Sequence, residues 1–141
     1  MSLQVLKNAR RHPARDVAIQ SISCIEAGDR EGWLSLWDED GLIEDPVGKS
    51  PLDPDGKGHR GMAAIKRFFD RVIAPSDLRF TIRQSFAAGD ECANVGTITT
   101  RTKDGRVTRT ELVMVYRVNS NGNLVSLRAF WEFDGTAQSV F

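Results

Sequence analysis

The sequence is poor in residues that announce a fixed chemistry. It holds two cysteines, two histidines and one tyrosine in 141 residues. Cys24 and Cys92 stand far apart, without the close pairing of a metal or redox motif, so free buried thiols in a reducing compartment are expected. His12 and His59 have no Asp, Glu or Cys at metal-ligand spacing, and no bound metal is expected. Neither sign of charge is in excess, with 19 Lys and Arg against 19 Asp and Glu. A chain without a basic stripe cannot neutralise a run of phosphates, which argues against nucleic acid as a partner. No run reaches the roughly 18 apolar residues of a membrane span, and the N-terminus lacks an apolar stretch of signal-peptide length. A soluble, cytoplasmic protein is expected. No glycine-rich phosphate loop, dinucleotide fingerprint or nucleophile elbow is present, so no cofactor is expected and redox or covalent mechanisms have no support.

What is present is enough for one domain, and the chain length allows one hydrophobic core around a modest cavity. Zero net charge weakens colloidal repulsion and is compatible with a homodimer. Met1 to Ala14 is polar and basic and reads as an N-terminal arm, with one domain over residues 15–141. Ala18, Ile22 and Ile25 recur at helical spacing from Arg15 to Ala27, and Gly28 ends that helix. Arg30 to Trp37 predicts a second, short helix with Trp33, Leu34 and Trp37 on one side, leading into a strand from Gly41 to Asp45. Pro46, Pro51 and Pro54 with Gly48, Gly56 and Gly58 mark a loop at the surface or over a pocket mouth. Ile65, Phe68, Phe69, Val72 and Ile73 carry a strongly helical period from Gly61 to Ile73, stopped before Pro75. Four β-rich runs follow, beginning with Leu78, Phe80 and Ile82, with hairpin turns at Asp104-Gly105 and Asn121-Gly122. That order predicts an α+β fold, with helices on the concave face of a curved, mostly antiparallel sheet.

Three stretches carry a more specific signal. Ala27-Gly28-Asp29 closes the first helix, Ile43-Glu44-Asp45-Pro46-Val47-Gly48 follows the second, and Arg128-Ala129-Phe130-Trp131 lies in the last strand. In this order the sequence resembles ketosteroid isomerase and its SnoaL-like relatives, from Arg15 to Phe133. The resemblance implies the cone-shaped nuclear-transport-factor-2-like fold, with about three helices. It makes Asp45 the general base that moves a proton between two carbons of a bound apolar molecule. A carboxylate in an apolar cavity is a stronger proton acceptor than a solvated one, because burial disfavours its charged form.

The resemblance also implies two hydrogen-bond donors for the developing oxyanion, and here the sequence departs from the family. Ser21 stands where a tyrosine is expected and Met114 where an aspartic acid is expected. Trp37 and Phe69 replace two supporting tyrosines. One oxyanion donor is worth about 2.7–4 kcal/mol of transition-state stabilisation. Loss of both would forfeit roughly 5–8 kcal/mol if the effects added, so efficient ketosteroid isomerisation is not expected. Tyr116 and Leu112 share a strand face with Met114, and Thr97 with Thr99 is expected to share a face on the neighbouring strand. Tyr116 could supply a donor or be a core ring with its hydroxyl at the rim. Trp131, with Val125, Leu127, Ala129 and Phe133, is expected to form a ligand wall. Trp33, Phe68, Phe80 and Phe86 are assigned to packing, and His59 to a solvated loop.

Two functions follow. In one, a small hydrophobic molecule is held by Ser21, Trp37, Phe69, Thr97, Met114, Tyr116 and Trp131 while Asp45 shuttles a proton, as in isomerisation, cyclisation or dehydration. In the other, the domain is a non-catalytic ligand-binding or dimeric assembly module, with Val113 and Val115 on the outer sheet face buried against a second copy. The fold alone hosts both.

Overall fold

A histidine and a proline start the first helix. His12 Nδ1 accepts the Ala14 N–H at 3.1 Å, and Pro13, whose missing N–H costs nothing in a first turn, opens α1, Pro13–Ala27. The computed structural model describes residues 9–133 and the backbone of the short strand Gln138–Val140. Residues 1–8 of the expected N-terminal arm therefore lie outside the described residues, and the helix begins two residues earlier than the expected domain start at Arg15. Gly28 ends α1 in the left-handed conformation, at φ 69°. The turn is locked by Gly28 N–H to Ile25 O at 3.1 Å and Asp29 N–H to Cys24 O at 2.8 Å.

Asp29 then accepts the Gly32 N–H at 2.9 Å and caps α2, Arg30–Leu34. This helix stops three residues short of the expected end at Trp37. Trp37 instead opens β1, Trp37–Glu44, which extends the expected strand backwards. Sheet pairing wins over helical period here, because Leu36 O accepts the Leu124 N–H at 2.8 Å and Trp37 pairs with Leu124. After the expected Pro46–Gly58 loop, β2, His59–Arg60, pairs antiparallel with Ile43 and Leu42. The third helix covers the expected span in two pieces, α3 over Met62–Phe68 and a wider π-helical turn over Phe69–Ile73. The wider turn shows as Ala74 N–H to Phe69 O at 2.8 Å.

Four long strands follow: β3, Asp77–Ala88; β4, Glu91–Arg101; β5, Val107–Val118; and β6, Leu124–Phe130. The two expected hairpin glycines, Gly105 and Gly122, have φ of 88° and 81°. A further strand not expected from the sequence, β7 over Gln138–Val140, adds to β5 beside Thr108 and Thr110. The strand order is β2-β1-β6-β5-β4-β3. Every pair is antiparallel except β1 with β6. This is the expected α+β architecture, three helices on a curved, mostly antiparallel sheet.

Curvature has a local cause in β3, where a register irregularity lies between Ile82 and Gln84 opposite Gly96. A Cβ on Gly96 would stand 2.1 Å from the Thr81 carbonyl oxygen, so the two backbones approach as only glycine permits. Ile22, Trp33, Ile43, Ile65, Ile82 and Leu124 are fully enclosed between helices and sheet. Among the described residues no helix is long and apolar enough to cross a membrane.

Candidate functional site

Strand alternation builds the floor of a cavity. On β5, Thr108, Thr110, Leu112, Met114 and Tyr116 all face it, every second residue of the strand. The helices roof it with Ser21, Trp33, Phe68 and Val72, and its volume is about 220 Å³. Leu52, 37% exposed, reaches it from the proline-rich loop, so that loop borders the mouth as its composition predicts. For scale, an apolar cavity of about 150 Å³ holds benzene. A fused-ring fragment fits inside, and a longer ligand must extend through the mouth.

Asp45 and Trp131 line one side of this cavity, level with Met114 and Leu112 of the floor. Each follows the end of a strand, and the two strands are parallel neighbours, β1 and β6. Trp131 Nε1–H donates to Asp45 Oδ1 at 2.6 Å. Oδ2 makes no hydrogen bond to any described residue, which leaves it free to take up a proton. The Asp45–Pro46 peptide bond is cis. Desolvation pushes the Asp45 carboxyl above the ordinary carboxylate range, while the Trp131 hydrogen bond and the nearby His59 charge pull less strongly the other way.

His59 is not the solvated loop residue expected. It lies on β2, paired with Ile43, so its side chain shares the interior-facing side of Ile43. Its ring sits 5.1 Å from that of Phe68, and its buried Nε2 has no partner among the described residues.

Tyr116 is 2% exposed, and its hydroxyl reaches only the Met114 sulfur, at 3.6 Å. A thioether is a weak acceptor, so the phenol keeps most of its donor capacity. Burial, with the nearby Asp45 and Cys92, drives its pKa well above the ordinary phenol value. Tyr116 is therefore a neutral donor across the working pH range.

Other expected contacts are relocated. Ser21 lines the cavity, but its Oγ accepts the buried Trp33 indole N–H at 3.0 Å. Trp37 and Phe69 stand outside the cavity and pack on Trp33, with ring centroids 5.6 and 5.3 Å away. Trp33, Phe68 and Phe80, assigned from sequence to packing alone, are themselves cavity walls. Phe86, also assigned to packing, is 60% exposed.

Thr97 faces the opposite side of the sheet. It pairs with Glu111, whereas Met114 pairs with Asn94, so Thr97 and Thr99 have the wrong parity to meet the cavity. Its hydroxyl donates to Glu111 Oε2 at 2.6 Å and accepts from Arg83 at 2.7 Å. Of the expected last-strand wall, Leu127 and Trp131 line the cavity, while Val125, Ala129 and Phe133 do not. Sequence reasoning missed Thr100, Thr108 and Thr110, although the alternation Thr108, Thr110, Leu112, Met114 places them on the Met114 face.

Three helices roofing a curved, mostly antiparallel sheet around a cavity make up the cone-shaped nuclear-transport-factor-2-like fold. Within it, the SnoaL-like domain matches residues 18–127, and the chain belongs to the SnoaL-like family. The RV0760c protein of Mycobacterium tuberculosis is 34% identical, over 95% of this chain and 100% of that one, with a TM-score of 0.87. Its complex with estradiol-17beta-hemisuccinate matches at 36% identity, over 92% and 99%, with a TM-score of 0.85. The Delta 5-3-ketosteroid isomerase of a Mycobacterium species is 35% identical, over 93% and 100%, with a TM-score of 0.87. A computationally designed 17-OHP binder is 34% identical, over 93% and 100%, also with a TM-score of 0.87.

Proposed function

We propose that this protein binds a small, polycyclic, apolar molecule and moves a proton on it, with Asp45 as base. The observation that carries the reading is the Asp45 carboxyl, anchored to Trp131 at 2.6 Å, desolvated, and set as the one charged side chain among the described residues in the wall of a largely apolar cavity. Burial raises the proton affinity of the group, and the indole keeps one oxygen in place while the other meets the substrate. Relatives at this level of identity are a ketosteroid isomerase and a protein solved with an estradiol ester, which supports a steroid-like ligand class.

The oxygen of such a ligand needs a donor. Met114 has no proton to give, and Ser21, whose Oγ accepts the Trp33 N–H, keeps only a short aliphatic O–H as donor. Tyr116, two residues along the strand from Met114 and bonded only to its sulfur, carries the more acidic O–H, and we assign it the role of holding a carbonyl or enolate oxygen. One phenol in place of a tyrosine and an aspartic acid fits slow rather than efficient isomerisation.

The test is deuterium uptake from D₂O into a Δ5-3-ketosteroid, followed by mass spectrometry, which registers proton abstraction even where isomerisation is slow. Asp45→Asn should lower the exchange rate by about 10²-fold or more while leaving affinity nearly unchanged. Equal exchange rates in the two proteins would remove Asp45 from the mechanism. The second reading, binding without catalysis, is favoured by Ser21 and Met114 standing where the family resemblance implies a tyrosine and an aspartic acid, and saturable binding with no exchange above solvent background would select it.

Self-association belongs to the same proposal. Val113 and Val115 lie on the outer sheet face with Phe130, 41% exposed, and a second copy of this chain would cover them. Sedimentation at micromolar concentration should show a dimer, and a monomer there would count against that surface. The unpaired thiols of Cys24 and Cys92 fit a cytoplasmic setting.

A further inference from the structure

The cavity carries a second polar group of side chains, at the Thr108 end of its floor. Thr100 and Thr108 are directly opposite one another on β4 and β5, and Thr110 follows two residues along β5, about 7 Å away. All three line the cavity. None of their hydroxyls makes a hydrogen bond to another described residue, although polar groups at half-buried positions ordinarily find a partner. Their neighbours in the wall, Leu78 and Ile98, are apolar. The strand separates this cluster from the base: Asp45 follows Glu44, which pairs with Arg128, and so stands level with Ala129 and its partner Met114, four residues from Thr110 and about 14 Å along β5. Asp45 is the one charged side chain lining the cavity among the described residues, so no cation stands ready for an anionic group.

We propose that Thr100, Thr108 and Thr110 form a distal subsite that hydrogen-bonds a neutral oxygen, hydroxyl or ketone, at the far end of an elongated apolar ligand. This rests on the reading of Asp45 as the reacting end of the same cavity. It narrows the ligand class to molecules about as long as a fused four-ring skeleton that carry oxygen at both ends. Each hydroxyl can donate and accept, so the subsite takes either an alcohol or a carbonyl.

The experiment compares estradiol with its 3-deoxy and 17-deoxy analogues, titrated against the quenching of Trp33 and Trp131 fluorescence. In the wild type, loss of the oxygen that meets the threonines should weaken binding by about 5- to 10-fold. In the Thr100→Val/Thr108→Val/Thr110→Val variant that penalty should shrink to less than about 2-fold, while affinity for the corresponding deoxy analogue stays the same. Valine keeps the β-branched shape suited to a strand. Thr108→Val alone gives the same contrast at reduced size and serves if the triple variant does not fold. Equal wild-type affinity for all three probes, or penalties that persist unchanged in the variants, would overturn the subsite while leaving Asp45 untouched. No saturable binding of any probe to the wild type would overturn the parent reading and the subsite together.

Discussion

Replacing Asp45 with asparagine should stabilise the fold at neutral pH, and the gain should disappear on acidification. An unperturbed aspartic acid titrates at 3.8, and desolvation raises the folded value above that. Between those two values the folded protein binds more protons than the unfolded chain. Stability therefore falls as pH rises through that window, and the loss is constant above it. Below the unfolded value the carboxyl is neutral in both states and contributes nothing. One group can bind at most one extra proton, so the slope cannot exceed about 1.4 kcal/mol per pH unit. With a transition entropy of about 2.1 cal/mol/K per residue, a chain of 141 residues unfolds with roughly 0.3 kcal/mol/K. That slope then equals about 5 °C in Tm per pH unit. Asparagine keeps an Oδ1 for Trp131 and carries no charge, so the substitution removes the titration of this carboxyl while keeping its hydrogen bond. Thermal melts of both proteins from pH 4 to pH 8 give the difference directly: the variant should gain relative to the wild type as pH rises, then reach a plateau. A flat difference, or one that closes with rising pH, would refute the claim that burial dominates the site.

Further outcomes follow from neighbouring contacts. Trp131→Phe should raise the Asp45 pKa further, and His59→Gln should raise it by less, because the lost hydrogen bond outweighs the lost charge; carboxyl-carbon NMR titration checks the order. Ser21→Ala strands the buried Trp33 N–H, which is bonded at 3.0 Å in the wild type, and should cost about 1–3 kcal/mol in urea unfolding. Gly96→Ala drives a methyl group to 2.1 Å from the Thr81 carbonyl oxygen; the obstacle is backbone and cannot swing away, so a loss of about 1–3 kcal/mol in the same assay is expected.

The fold was legible because its elements are long and periodic. Phe68, Phe69 and Val72 announce a helix, Gly105 and Gly122 mark the hairpins, and the Asp45-Pro46 and Trp131 stretches belong to a recognisable family. Boundaries were harder where two patterns overlap, as at Trp37, which continues the apolar side of α2 yet is claimed by pairing with Leu124. The site was legible where it follows strand parity within one strand, as Met114 and Tyr116 show. It failed across strands. Thr97 looked equivalent to residues on β5, but the register that sets its face depends on the Thr102 to Arg106 turn joining β4 to β5, and one residue of difference reverses it. Packing against sheet or helix is also invisible to periodicity, which is why Trp33 and Phe68 read as core although they wall a cavity.

The hydrogen bond between Trp131 and Asp45 joins residues 86 apart in the chain. Because β6 is the strand that brings Trp131 to Asp45, a nascent chain that has made everything up to β5 carries a carboxyl with no indole beside it. The pair thus comes into being only once β6 has been made, and a shortened chain lacking β6 would hold the carboxyl without its donor however well its helices formed.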